Sequence, residues 1–163
     1  MVANRRGIHI TVIILSLLLG LIFAVYPFPT DYGFLRPELV CMVVIFWIMN
    51  SPQHLGMLFA FCVGLLQDVV EVGVWGGHAM ALTLLAYICL MSYQRIRNYS
   101  VWHQSLWVFI LVGVHQVVVN WVQGLAGYRA PAHYLLASTM ISALCWPLIV
   151  FTLLRIRHIY RLQ

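Results

Sequence analysis

The sequence predicts an all-α fold: a polytopic membrane helical bundle of about six transmembrane helices, one integral membrane domain over residues 1–163. Three observations predict it, namely an extreme composition, a series of separable apolar segments and a one-sided distribution of arginine. Of the 163 residues, 63% are hydrophobic and 8% are charged, whereas a soluble domain carries roughly 45–50% and 25%. Mean hydropathy is +0.94. A surface of that composition could not be kept in water, which excludes a soluble globular enzyme. Six spans of about 20 residues use roughly 120 positions, so no soluble catalytic or nucleic-acid-binding domain fits beside them.

The first apolar segment, residues 8–26, follows the basic pair Arg5-Arg6. It is long for a signal-peptide core and no A-x-A site follows, so it is expected to be a retained span. Ser16, Gly20 and Ala24 recur along it at a spacing of four. The second and third segments, 34–49 and 54–70, have short apolar cores joined by Asn50-Ser51-Pro52-Gln53, a turn sequence that predicts a tight helical hairpin. Gly56, Ala60, Gly64 and Asp68 repeat the spacing of four on the third segment. Such small-residue stripes let another helix approach closely in lipid, either inside the bundle or as a seam for a partner.

The fourth segment covers 74–93 and the fifth 101–123. Gln116, Asn120 and Gln123 give the fifth one polar face, with His115 beside it. That face either supplies interhelical hydrogen bonds or lines a small solute cavity. The sixth segment, 134–154, contains Trp146-Pro147, where proline should bend the helix.

Charge sets the expected topology. Arg5, Arg6, Arg95, Arg97, Arg155, Arg157 and Arg161 fall on one side of this layout, and Arg36 and Arg129 on the other. The four acids, Asp31, Glu38, Asp68 and Glu71, join the minority arginines. By the positive-inside rule both termini are then cytoplasmic and the number of spans is even. Tyr26, Phe28, Tyr32, Trp121 and Tyr128 form an outer aromatic belt, and Tyr93, Tyr99, Trp102 and Tyr160 an inner one. The pI near 9.3 therefore reads as topology rather than as a nucleic-acid footprint. The basic tail around Arg157 and Arg161 anchors the last span and can touch anionic lipid.

The candidate site is the cluster Arg36, Glu38, Asp68 and Glu71. Counted from the turn at Asn50–Gln53, Arg36 and Asp68 both lie roughly 21–23 Å away at the helical rise, within a hydrocarbon layer about 30 Å thick. Charges at that depth are costly unless paired or facing a polar cavity. The expectation is that Arg36 contacts Asp68, with Glu38 or Glu71 as second partner; the alternative is that each snorkels to the headgroups. No catalytic, cofactor or metal site is expected. Cys41, Cys62, Cys89 and Cys145 lie singly in apolar runs, as buried thiols do. The seven histidines are scattered without HxxxH or HExxH, and no GxSxG occurs.

Together these residues resemble the MreD family of bacterial rod shape-determining membrane proteins. The resemblance spans nearly the whole chain. It is carried by Phe34-Leu35-Arg36-Pro37, by Gly64-x-x-x-Asp68, by Gly73-Val74-Trp75-Gly76-Gly77 running into His78-Ala79-Met80 and Tyr87, and by Trp146-Pro147 with the basic end at Arg155. It implies a non-enzymatic scaffold subunit of the cell-wall elongation (rod) complex in the bacterial cytoplasmic (inner) membrane. The implied partners are the bitopic MreC and, through it, MreB, RodA and a penicillin-binding transpeptidase of peptidoglycan synthesis. In fold the family resembles the substrate-capturing subunits of energy-coupling-factor transporters. That similarity implies the rival reading, a small-solute-binding subunit of a membrane transporter.

Overall fold

A computed structural model describes residues 2–26, 36–53, 55–71 and 74–159, with side chains from Ile10 onward. Phe28, Asp31, Tyr32, Phe34, Leu35, His54, Gly73, Tyr160 and Arg161, and the side chains of Arg5 and Arg6, lie outside this description. The described residues form six helices and no strand: α1 (Val2–Val25), α2 (Leu39–Asn50), α3 (Met57–Val70), α4 (Gly77–Ile96), α5 (Val101–Leu125) and α6 (Ala132–Ile159). Among the described residues, α4, α5 and α6 are long and apolar enough to cross a membrane. Pro147 lies inside α6. In the first turn of a helix a proline costs little, but mid-helix it leaves one backbone carbonyl without its usual donor.

The short helix α2 is the centre of the bundle. Its sequence, LVCMVVIFWIMN, is apolar on every side, and every residue from Val40 to Met49 is buried. A helix without a polar face has no surface to show to water and packs on all sides. It contacts α1, α4, α5 and α6. Phe46, Trp47 and Met42 join Leu82 and Leu85 of α4, Leu111 of α5 and Trp146 of α6 in one core. The indole N–H of Trp47 donates to Ser16 Oγ on α1 at 2.9 Å. Large apolar side chains cover the outside instead: Leu19 is 68% exposed, Leu144 73% and Leu148 71%.

The expected hairpin of the second and third segments is corrected. The turn at 51–53 is present, but α3 packs principally on α4, and α2 packs on α4 and α1. The cause lies in side-chain size. Small residues on α3 permit close approach to another thin helix face, which α4 offers at His78–Ala79 and bulky α2 does not. At Gly64 an added Cβ would press against the backbone of Ala79, lying 2.6 Å from its nitrogen and 2.7 Å from the carbonyl carbon of His78. Backbone therefore touches backbone there.

Candidate functional site: a polar network at the Asp68 end of the bundle

The start of α2, the end of α3 and the start of α4 meet at one end of the bundle, together with the start of α6. Asp68 lies there, 1% exposed. Its Oδ2 accepts the N–H of Gly76 at 2.9 Å and that of Ala79 at 3.3 Å. Its Oδ1 accepts the N–H of His78 at 2.9 Å and sits 2.9 Å from His78 Nδ1. A helix begins with N–H groups that no turn of its own can satisfy, and it carries partial positive charge there. Gly76, at the cap position of α4, has no side chain to offer. Asp68 of the neighbouring helix supplies the missing cap. Gly76 adopts φ +95°, which favours glycine, and so the N–H groups of 76, 78 and 79 converge on one carboxylate. Gly64, one turn earlier on α3 than Asp68, permits the approach that brings them within reach.

Glu71 extends the cluster. Its Oε1 accepts the amide of Gln67 at 2.9 Å and lies 3.7 Å from Arg36 Nη2. Its Oε2 is 3.5 Å from His78 Nε2, so both ring nitrogens of His78 face carboxylates. The His78 ring lies 5.7 Å from that of His115 on α5. His115 is 1% exposed, and neither of its ring nitrogens has a hydrogen-bond partner among the described residues.

Glu38 and Arg36 belong to a stretch, Arg36-Pro37-Glu38, that is not helical although it precedes a buried helix. Irregular backbone at such a place must be satisfied by protein. Ser138 Oγ donates to the Arg36 carbonyl at 2.7 Å, and the Glu38 N–H donates to Ser142 Oγ at 2.9 Å. Pro37 has no N–H to satisfy. Gln116 donates to Ser138 Oγ at 2.8 Å and to Glu38 Oε1 at 3.3 Å, and its carbonyl oxygen lies 3.4 Å from Thr139 Oγ1. The polar face of α5 thus makes interhelical bonds at Gln116. Asn120 reaches only the next loop, accepting the N–H of Ala130 at 2.9 Å.

The four charges are therefore drawn together, with Glu71, expected as a second partner of Arg36, pairing with it in place of Asp68. Arg36 makes its ion pair with Glu71, and Asp68 turns to α4; among the described residues there is no Arg36–Asp68 ion pair. Arg36 is not in a helix, so helical rise does not set its depth. The N–H groups of the α4 terminus also lie nearer to Asp68 than the Arg36 guanidinium does. His78, Gln67, Ser138, Thr139 and Ser142 were missed. A legible signal existed for the serines: Ser138, Thr139 and Ser142 share one face of α6. On the small-residue stripes, Ala60 is fully buried, Gly20 and Ala24 border α2's start, and a Cβ at Gly20 would meet Val40 at 3.4 Å. Gly56 has open space around it.

A cleft opens beside the network. It is lined by Gly20, Phe23 and Ala24 of α1, by residues 36–40 and by Gln67, and offers about 10 Å³ to the centre of a water-sized group. That is room for about one such group. No cluster of three or more potential metal ligands occurs among the described residues.

A family model for the rod shape-determining protein MreD matches residues 5–157, which includes every residue of this network. The chain belongs to the MreD family. The rod shape-determining protein MreD of Haemophilus influenzae is 27% identical to it over 138 residues, 84% of this chain and 85% of that one. No solved structure matches. In this MreD family member the Gly64-x-x-x-Asp68 motif and the Gly76-Gly77-His78-Ala79 motif are two halves of one contact, the first supplying the gap and the carboxylate and the second the N–H donors. With its long apolar helices, family membership points to a membrane protein with a rod shape-determining role.

Proposed function

We propose that the chain is a non-enzymatic scaffold of the rod complex, a six-span bundle of the inner membrane with both termini cytoplasmic. It binds an MreC-like single-span protein and, through it, supports MreB, RodA and the penicillin-binding transpeptidase in peptidoglycan synthesis. One observation carries this reading. Most of the buried polar side chains that a catalyst or carrier would turn on a substrate are instead bonded from helix to helix: Asp68 to α4, Gln116 to α6 and Glu38, and Ser138 and Ser142 to the α2 start. What the bundle presents outward is apolar helix surface, on which a partner's membrane helix can pack.

Co-purification in mild detergent tests this. A tagged chain should retain a single-span MreC-like protein at fixed stoichiometry. Retention of a small solute with no single-span protein would instead establish a transporter subunit.

A further inference from the structure

We propose that the cleft between α1 and the start of α2 is a binding site for the ethanolamine-phosphate headgroup of a phospholipid. The ammonium sits between Glu38 and Gln67, and the phosphate lies on Arg36.

Three observations converge on this chemistry. Gln67 is 1% exposed and forms part of the cleft wall, and its carbonyl oxygen has no partner among the described residues. Its amide nitrogen is already committed to Glu71 at 2.9 Å, which fixes the carbonyl as the free end. A buried acceptor left unpaired is unfavourable, so a donor reaching Gln67 from the cleft would be favoured. Glu38, also on the wall, adds a carboxylate that accepts one hydrogen bond, from Gln116 at 3.3 Å. An acceptor pair that includes a carboxylate favours a cationic donor.

Size selects among cations. The cleft admits a group about as large as a water. A primary ammonium has that size and three donors; a trimethylammonium has more bulk and none. Arg36, third, lies on the same wall with its side chain 32% exposed, and among the described residues its guanidinium makes one ion pair, at 3.7 Å to Glu71, and no hydrogen bond. It retains donors for a phosphate, whose geometry suits a guanidinium fork. A cation and an anion site side by side on an apolar bundle match a zwitterionic lipid headgroup. The flanking, partly exposed Phe23 and Leu39 are where the acyl chains would leave.

The inference requires a lipid-embedded bundle and is independent of which protein partner it binds. The test is native mass spectrometry of the purified full chain released from nanodiscs of equal phosphatidylethanolamine, phosphatidylcholine and phosphatidylglycerol. Retained phosphatidylethanolamine should exceed phosphatidylcholine by roughly tenfold, as one or two charge-assisted bonds allow. Glu38→Gln and Gln67→Met should each abolish that preference, with folding checked by an unshifted gel-filtration peak. Arg36→Gln should weaken retention of phosphatidylethanolamine while preserving its advantage over phosphatidylcholine. Equal retention of the two lipids by the unmodified chain would overturn the proposal. So would a preference that folded Glu38→Gln and Gln67→Met both keep. Enrichment of phosphatidylglycerol alone would replace it with simple attraction of an anion to Arg36. None of these results bears on whether an MreC-like protein co-purifies.

Discussion

The two ends of the bundle are held by different physics. At the Asp68 end a single carboxylate receives backbone N–H groups of three residues, and two serines hold irregular backbone in place. At the other end the last turns of α2 are fixed by bulk: Phe46 and Trp47 meet edge to face with ring centres 5.3 Å apart, buried among apolar side chains. The polar contact there is modest. Arg157 of α6 donates to Asn50 Oδ1 at 2.9 Å, and Asn50 donates to the Phe46 carbonyl at 2.8 Å. Packing tolerates a change of shape at fixed volume. Directional bonds do not tolerate the loss of one atom, because the partners left behind stay buried and unpaired. The Asp68 end is accordingly the brittle one.

The sharpest break should come from Gly64→Leu, which drives a side chain into the backbone of Ala79. We expect a loss of more than about 3 kcal/mol, visible as disappearance of the monodisperse gel-filtration peak. Gly56→Leu, on the same stripe but in open space, should stay within about 0.5 kcal/mol. Equal effects would mean that the α3–α4 contact is not as close as described.

Next in size is Asp68→Ala, which strips α4 of its cap. A cost of about 2–4 kcal/mol is expected, measured as a lower thermal midpoint in detergent, with Asp68→Asn in between because one acceptor oxygen survives. Combining Asp68→Arg with Arg36→Asp should rescue nothing, since the two side chains do not pair. Rescue would restore the simpler charge-pair picture.

At the packed end, Trp47→Phe should cost about 1–2 kcal/mol, from lost volume and the lost bond to Ser16. Ser16→Ala should cost about 1 kcal/mol or less, in line with interhelical bonds in membranes. The smallest effect belongs to the partly exposed Arg36–Glu71 pair. Either neutral variant should change stability by no more than about 1 kcal/mol, and Arg36→Glu with Glu71→Arg should recover what the single reversals lose.

How far the sequence could be read depends on the kind of information each feature carries. Six helical segments follow from apolar run length and turn residues, and six helices lie over them; α1 begins at Val2 rather than 8 and α6 ends at Ile159 rather than 154, while α2 begins late, at Leu39 rather than 34. Proline at 37 and the serines of α6 explain that late start, and the second of these is non-local. The small-residue stripe announced a close approach at Gly64 without naming the neighbour, because the spacing of four describes one surface and not its mate. Asp68 was legible as a charge too deep to stand alone. Its partner was hidden because backbone N–H groups have no letter in the sequence; only Gly76-Gly77, marking where a helix opens, hinted at them.

The order in which the chain is made gives these contacts a further meaning. The donors to Asp68 lie 8, 10 and 11 residues beyond it. They are synthesised almost as soon as the carboxylate is, so α3 and α4 can pair with the Asp68 charge already stabilised by hydrogen bonds. The side chains that bond the Glu38 carboxylate, the Arg36 carbonyl and the Glu38 N–H lie 78, 102 and 104 residues further along. Until α5 and α6 are synthesised, the head of α2 has none of them. The central helix of the finished bundle is thus the last to be completed, and the final helix of the chain is what completes it.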